Sequence, residues 1–345
     1  MKNGSSTPSK LEKRIATFST WVRPTEESAA KIRQRADEVR KLIRAEAQKD
    51  GLIVRETPSS GSFAKNTGLR RHITGGSAVE GQDVDLPFIL SPKTSKDEEL
   101  KELLNRFESY AARAYPQSPP NKSRTKSSIK LEFVGSPLSY DLVPLLVDPE
   151  DPSYQILLRG NGERRRTSIS RHIDFIKRRT DASNQLPGLV RFNECVRLVK
   201  WWRIFQEDQS HNLSSVPTML IDLLCAIAFD RRKVATTYGE TLRQWFDILY
   251  QTVLHRERVA FTDFAATELH PIPGAQWMVL DPVNPKNNVA GGMLPPHIDE
   301  LARWLLDARN NMQEAVDYDR NGNDQKSLYH LTQLFGSPFK QFCES

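Results

Sequence analysis

The chain has 345 residues, of which 38% are hydrophobic and 27% are charged. These proportions are typical of a globular protein with room for two domains or one large bilobed one. No apolar run approaches the roughly eighteen residues of a membrane span. The start of the chain lacks a secretory signal, so we expect a cytoplasmic protein without a membrane partner. The cysteines Cys195, Cys225 and Cys343 show no CxxC spacing, which argues against a zinc site or a disulfide framework.

Basic residues outnumber acidic ones by 49 to 43, and the net charge is +6. The surplus is concentrated in the basic stretch, which we define as residues 159–179, where only Glu163 and Asp174 oppose the arginines and lysines. Two interpretations of this stretch remain open. It is either a solvated loop and helix face, or a surface that binds the phosphates of nucleotides or of a nucleic acid.

The N-terminal half predicts alternating helices and strands. After a flexible N-terminus over residues 1–20, apolar residues at helical spacing predict one long helix from Glu26 to Lys49. Four short strands separated by turns follow, with a helix over residues 97–115 between the second and the third. The strand segments read LIVRET, DVDLPFIL, IKLEFV and YDLVPLL. This alternation predicts an α/β lobe with a mixed sheet over residues 21–187.

Beyond a junction at Pro187-Gly188, the pattern of the C-terminal half predicts five helices. Its helical segments read RFNECVRLVKWWRIFQ, TMLIDLLCAIAFDR, TLRQWFDILYQTVL, HIDELARWLLDARN and SLYHLTQLFG. Cys195, Cys225, Trp201 and Trp202 are predicted to be core residues. The fold class is therefore α/β plus α, a bilobed chain in which a helical lobe over residues 188–345 follows the α/β lobe.

Residues 59–90, SSGSFAKNTGLRRHITGGSAVEGQDVDLPFIL, combine a small-residue turn with two closely spaced aspartates. Gly61-Ser62 before a short helix offers free backbone N–H groups and a hydroxyl, which are the elements of a phosphate cradle. The glycine-rich loop from Arg71 to Gln82 is expected to lack regular structure and to be able to reorganise around a nucleotide.

Asp83 and Asp85 point to the same face of a strand, because side chains alternate with a period of two. Two adjacent carboxylates repel unless a cation lies between them, and Mg²⁺ is the usual cation beside carboxylates and phosphate oxygens. The alternative is an exposed edge strand that merely carries charge. Asp141 lies in a strand that forms a hairpin with the strand beginning at Ile129. An antiparallel neighbour of this kind is expected to bring Asp141 beside the pair, so that three carboxylates hold two Mg²⁺ ions.

These motifs resemble the nucleotidyltransferase superfamily that includes DNA polymerase β and poly(A) polymerase. The similarity is greatest to the oligoadenylate synthase and cyclic GMP-AMP synthase branch, and within it to bacterial cyclic-oligonucleotide synthases of anti-phage signalling. It rests on Gly61-Ser62, Asp83-x-Asp85, Asp141 before Leu-Val-Pro, the long N-terminal helix, VRLVKWWR with LSSVPTMLIDLL, and VLDPVNPKNNVA. Asn66 stands where the family usually has glycine, a minor departure because Asn tolerates the left-handed conformation.

The resemblance implies a polymerase β-like fold and assigns the site residues. Asp83, Asp85 and Asp141 would be catalytic and metal-binding, with Mg²⁺ or alternatively Mn²⁺ as the cofactor. Gly61 and Ser62, with Lys200 and Ser215, would contact the substrate triphosphate. From the residues alone, Lys200 could instead extend along the surface of its helix towards solvent, and Ser215 could instead cap a helix.

The resemblance and the residues together leave three functions to compare, of which the resemblance favours the first. The first is a magnesium-dependent enzyme that joins ATP, GTP or other nucleoside triphosphates into a cyclic di- or trinucleotide second messenger for anti-phage defence. Its product would act on a separate effector, nucleic acid would not be required, and a regulatory protein partner stays open. The second is an RNA- or tRNA-tailing nucleotidyltransferase that holds RNA on the basic stretch. The third is an inactive nucleotide-binding module, which the three intact aspartates disfavour.

Overall fold

The computed structural model of the chain describes residues 8–74, 77–91, 100–264 and 272–344. They form two compact units. The sheet unit comprises the described residues of Pro24–Arg70 and Glu80–Phe175, and the helical unit comprises those of Met1–Arg23, Arg71–Val79 and Ile176–Ser345. The three domains predicted from the sequence, 1–20, 21–187 and 188–345, remain a prediction. Among the helices of the described ranges, none combines the length and the apolar character that crossing a membrane requires.

The described residues contain the following elements in chain order. The α-helices are α1 Lys10–Val22, α2 Glu26–Lys49, α3 Gly61–Ala64, α4 Leu100–Ala114, α5 Ile169–Asn184, α6 Phe192–Gln209, α7 Thr218–Arg232, α8 Tyr238–Leu254, α9 Pro295–Arg320 and α10 Asp324–Glu344. The strands are β1 Ile53–Glu56, β2 Arg71–Thr74, β3 Ser77–Glu80, β4 Gln82–Ser91, β5 Asn121–Arg124, β6 Ile129–Glu132, β7 Leu138–Val147, β8 Gln155–Leu158, β9 Arg164–Thr167, β10 Leu280–Asp281 and β11 Asn284–Asn288.

A mixed seven-stranded sheet forms the centre of the sheet unit, as the sequence predicted. Its strand order is β1-β4-β7-β6-β5, and β8 and β9 continue from β7. Strands β4 and β7 run parallel, from the pair Gln82 and Leu138 to the pair Leu90 and Leu146, whereas the other neighbouring strands of this sheet are antiparallel. The long strands β4 and β7 therefore lie side by side along their whole length.

Helix α2 has the predicted bounds and packs on the core of this sheet. Thr25 caps its N-terminus by accepting a hydrogen bond from the backbone N–H of Ser28, as a helix start of this kind requires. Its apolar stripe, which includes Val39 and Ile43, is fully buried in one cluster with Phe107 of α4 and the inner residues of β4 and β7. The apolar period of the sequence thus places α2 correctly on the sheet.

The N-terminus is helical over part of the segment that the sequence predicted to be flexible. Residues 1–7 lie outside the described part of the chain, but α1 begins at Lys10 and buries Leu11, Ile15, Phe18 and Val22. Phe18 makes edge contacts with the rings of Trp201 and Phe339 within the helical unit. A short helix of this polarity gains its stability from such packing rather than from its own sequence, which explains why local composition suggested a flexible segment.

The glycine-rich loop contains regular structure, so the expectation for residues 71–82 was wrong. Strands β2 and β3 pair with each other, although Gly75 and Gly76 between them lie outside the described residues. Within the helical unit, the guanidinium of Arg71 lies 4.3 Å from the centre of the Trp21 ring and donates a hydrogen bond of 2.8 Å to the Trp21 carbonyl oxygen. A contact so distant in sequence anchors this hairpin, and no local pattern reveals it.

The helical unit has the predicted core. Cys195, Cys225, Trp201 and Trp202 are buried, and the indole N–H of Trp201 donates a hydrogen bond of 2.9 Å to the carbonyl oxygen of Phe335. Buried indole N–H groups usually find an acceptor of this kind. These aromatic and thiol side chains therefore serve packing.

Candidate active site

The three aspartates share one face of the central sheet. Asp85 of β4 and Asp141 of β7 are directly opposite each other, and Asp83 is paired with Ser139 one step along the same face. The sequence predicted that Asp141 lies on an antiparallel neighbour of the acidic strand, and this was wrong: β4 and β7 are parallel. The reason is the connection, because the chain passes through α4 and the β5–β6 hairpin before it returns, which suits a parallel crossover.

The Gly61-Ser62 turn lies against the carboxylate of Asp85. Gly61 has φ +67°, and a Cβ at this position would lie 1.8 Å from Oδ2 of Asp85. The short helix α3 begins at Gly61, and the backbone N–H of Thr67 closes the segment by donating to the carbonyl oxygen of Ser62 at 2.9 Å. Asn66 has φ 55°, the left-handed conformation that was expected to be tolerated there. Glycine at position 61 is thus required both by the backbone and by the neighbouring carboxylate.

Among the three aspartates, Asp85 has a strongly raised pKa. Burial, followed by the negative charge of Asp141, raises its pKa to about 6, while Lys65 counteracts the rise and Asp83 adds to it. Burial also raises the pKa of Asp141, which Lys130 opposes and Asp83 reinforces. Desolvation and like charge are the two ordinary causes of such shifts. Negative charge is therefore disfavoured on this face unless a cation joins it.

Asp83 is already engaged by hydrogen-bond donors. Its side chain is 67% exposed, and Oδ1 receives the ammonium of Lys130 at 2.9 Å and a hydrogen bond from the hydroxyl of Ser139. The hydroxyl of Ser128 donates to Oδ1 of Asp141 at 3.4 Å. No local pattern in the sequence points to these three partners, because each is far along the chain from its aspartate or belongs to another element.

The donor set fits a hard divalent cation. Three carboxylates on one face supply the oxygen ligands that Mg²⁺ prefers, and their mutual repulsion is the condition that a cation relieves. Among the described residues, however, no three His, Cys, Asp or Glu side chains are already grouped as a ligand set. Asp83 in particular is turned towards Lys130. Binding a cation would therefore require a rearrangement of these side chains.

The remaining predicted site residues lie in the helical unit. Lys200 of α6 is 4% exposed and forms an ion pair of 2.6 Å with Asp222 of α7, so the alternative of a side chain extending into solvent is wrong. Ser215 ends a short 3₁₀ helix that begins at His211. It does not cap α7, whose N-cap is Pro217. The structure thus groups Gly61 and Ser62 with the three aspartates in the sheet unit, while the roles of Lys200 and Ser215 stay predictions.

The contact between Gly61 and Asp85 predicts that Gly61→Ala damages the site itself. The new methyl group would clash with the Asp85 carboxylate and would also strain a backbone with positive φ. We expect at least a tenfold loss of nucleotide incorporation from labelled ATP. Gly135→Ala is the matched control, because Gly135 has φ +77° with nothing near its missing Cβ. Equal losses of activity in the two variants would show that backbone strain alone is responsible.

The raised pKa of Asp85 predicts how the stability of the metal-free protein depends on pH. The pKa is about 6 in the folded state against an ordinary value of 3.8, so the folded state binds more protons between these values. The free energy of unfolding therefore decreases as the pH rises through this window, by at most about 3 kcal/mol. Urea unfolding in EDTA from pH 4 to 8 measures this decrease. Asp85→Asn should flatten most of it and Asp83→Asn should retain most of it, because Asp83 is the smallest of the causes that act on Asp85. Parallel curves for wild type and Asp85→Asn would contradict the assignment.

Comparison with known proteins finds a matching domain family and related proteins. Residues 10–179 match the family described as the Second Messenger Oligonucleotide or Dinucleotide Synthetase (SMODS) domain. The chain is 28% identical over 284 residues to the Cyclic AMP-AMP-AMP synthase of Escherichia coli strain MS 115-1. This match covers 81% of this chain and 82% of that protein. It is also 26% identical over 258 residues to the CBASS oligonucleotide cyclase CdnC of Escherichia coli strain KTE188. That match covers 74% of this chain and 75% of the relative.

Solved structures extend the similarity over nearly the whole chain. The structure of CdnC from Escherichia coli MS115-1 with ATP matches at 27% identity with a TM-score of 0.78, over 95% of this chain and 98% of that one. The cyclic AMP-GMP synthase DncV of Vibrio cholerae shares the fold, with a TM-score of 0.60 at 13% identity. The match covers 95% of this chain and 85% of that one. The chain therefore carries a Second Messenger Oligonucleotide or Dinucleotide Synthetase domain over residues 10–179, which confirms its resemblance to the bacterial cyclic-oligonucleotide synthases.

Proposed function

We propose that this protein is a nucleotidyltransferase that joins nucleoside triphosphates, ATP foremost, into a cyclic di- or trinucleotide second messenger for anti-phage defence. The observation that carries the proposal is the acidic face, where Asp85 and Asp141 are opposite each other beneath the Gly61-Ser62 turn, with Asp83 beside them. The choice of ATP follows from two relatives, one named a cyclic AMP-AMP-AMP synthase and one solved with ATP. Nucleoside triphosphate substrates suit a cytoplasmic location.

The aspartates of the acidic face and the residues expected to contact the triphosphate would have different roles in the reaction. Asp83, Asp85 and Asp141 would hold Mg²⁺, with Mn²⁺ as an alternative. When bound, such cations neutralise the triphosphate and lower the pKa of the attacking hydroxyl. The backbone N–H groups of the Gly61-Ser62 turn and the Ser62 hydroxyl would hold phosphate oxygens. By the family resemblance, Lys200 and Ser215 would contact the donor triphosphate.

Control by a regulatory protein is part of the proposal. CdnC from Escherichia coli MS115-1 has been solved as a complex with a HORMA protein, and it is 26% identical to this chain with a TM-score of 0.77. We propose that a partner of this kind regulates synthesis here and that the cyclic product acts on a separate effector.

The RNA-tailing alternative is disfavoured on two grounds. The relatives described above are cyclic-oligonucleotide synthases. In addition, internal contacts already hold much of the basic stretch: Arg165 pairs with Glu163, Arg166 pairs with Asp148, and Arg179 pairs with Asp230 and Asp263. Paired arginines of this kind are poorly available for the many phosphate contacts that RNA binding needs.

The acidic face predicts that Asp83→Asn and Asp85→Asn each abolish synthesis while the fold is retained. Each change removes one cation-binding charge from a face where the carboxylates repel one another. We expect a loss of at least about a hundredfold in cyclic product, measured by mass spectrometry after incubation with ATP, GTP and Mg²⁺. Asp174→Asn, which changes an exposed aspartate of α5 in the same unit, is the matched control and should retain product. Near-normal synthesis by Asp83→Asn or Asp85→Asn would refute the metal-site assignment.

The basic stretch predicts a second result that separates the two enzyme functions. Arg164→Glu with Arg165→Glu reverses two charges on β9, and it leaves intact Arg166, which forms an ion pair of 2.5 Å with the buried Asp148. We expect synthesis from free ATP and GTP to stay within about twofold of wild type, because the proposed reaction needs no RNA. A folded double variant without turnover of free triphosphates would overturn this expectation. Extension of added RNA by the wild-type protein would favour the tailing enzyme.

A further inference from the structure

Lys130 lies in the same row of side chains as two of the aspartates. On β6 it is directly opposite Asp141 of β7, which in turn is directly opposite Asp85 of β4. Residues opposite each other on neighbouring strands project from the same face of the sheet. One face therefore presents a row of two carboxylates and one ammonium across three adjacent strands.

The ammonium of Lys130 crosses β7 to reach the third aspartate. It contacts Oδ1 of Asp83, on the second strand away, at 2.9 Å. Asp83 is one step along β4 from the row, and Ser139 of the intervening strand donates to the same oxygen. Only 28% of the Lys130 side chain is exposed, so the side chain rests on the sheet and not in solvent. Its charge therefore lies at Asp83 and also acts on Asp141.

We propose that Lys130 is a built-in counter-ion of the acidic face, which offsets one of its negative charges in the absence of a divalent cation and competes with that cation for Asp83. This inference rests on the proposed function, because it assigns the acidic face to cation binding. It makes Lys130 a positioning residue, since it holds Asp83 and needs no contact with the substrate.

Charge and geometry support this assignment. Three carboxylates on one face repel one another, and a nearby positive charge relieves that repulsion. The ammonium supplies a single charge at Oδ1 of Asp83, an oxygen that a divalent cation would also use. A bound cation and the ammonium cannot both take that position, so the arrival of one displaces the other. Lys130 thus sets a threshold for cation binding to the nucleotide-free protein.

Titration of the full-length protein with Mn²⁺ alone, followed by electron paramagnetic resonance, tests the proposal. Lys130→Met removes the charge while keeping most of the side-chain length, and Lys130→Gln is a second variant with a polar end. We expect each to bind Mn²⁺ about fivefold more tightly than wild type, a factor in keeping with the loss of one partly exposed ion pair. Lys130→Arg should bind Mn²⁺ as wild type does.

Lys122→Met is the matched control, because Lys122 is an exposed lysine on the neighbouring strand β5. It should leave Mn²⁺ affinity unchanged. Unchanged or weaker binding by both charge-removing variants at position 130 would overturn the proposal, and so would equal tightening by Lys122→Met. The absence of Mn²⁺ binding in wild type and variants alike would also overturn it.

A parallel assay of cyclic product keeps this inference separable from the proposed function. If wild type makes cyclic product while the Lys130 variants bind Mn²⁺ no more tightly, the counter-ion role fails and the proposed function stands. If the Lys130 variants gain Mn²⁺ affinity but wild type makes no cyclic product, the counter-ion role stands and the proposed function fails.

Discussion

The repulsion between Asp85 and Asp141 is the constraint on which the rest of the site depends. These residues face each other on adjacent parallel strands, at a strand separation of about 4.8 Å. Like charges in this position destabilise a sheet, and burial adds to the effect at both carboxyls. A sheet keeps such a pair only where positive charge can be supplied. The neighbouring groups therefore have to be considered as partners of this pair.

The groups around the pair supply positive charge or hydrogen-bond donors from three directions. Lys130 and Ser139 engage Asp83, and Ser128 donates to Asp141. Lys65, just after the short helix that begins at Gly61, acts on Asp85 through its charge. Each donor lies at or beside the sheet or the Gly-Ser turn, so protein groups already engage the carboxylates, and a divalent cation would have to displace some of them.

The sequence predicted the local parts of this arrangement and missed the long-range ones. The strand period alone places Asp83 and Asp85 on one face, and the apolar period alone defines α2. The parallel direction of β7 depends on the path through α4 and the β5–β6 hairpin, and the reach of Lys130 depends on which strand lies two positions away. Strand order is a property of the whole chain, which explains why these contacts carry no local signal.

The raised pKa of Asp85 and the ion pair of Lys130 both limit the net negative charge of the acidic face. A carboxyl with a pKa of about 6 accepts a proton only slightly below neutral pH, and an ammonium two strands away supplies charge without a proton. A divalent cation would bring more charge than either and would favour the ionised form of every carboxylate. Proton, ammonium and metal ion are thus competing solutions to one electrostatic problem. The ammonium and a divalent cation would meet at Asp83, whose carboxylate is the most exposed of the three and is the one that Lys130 contacts.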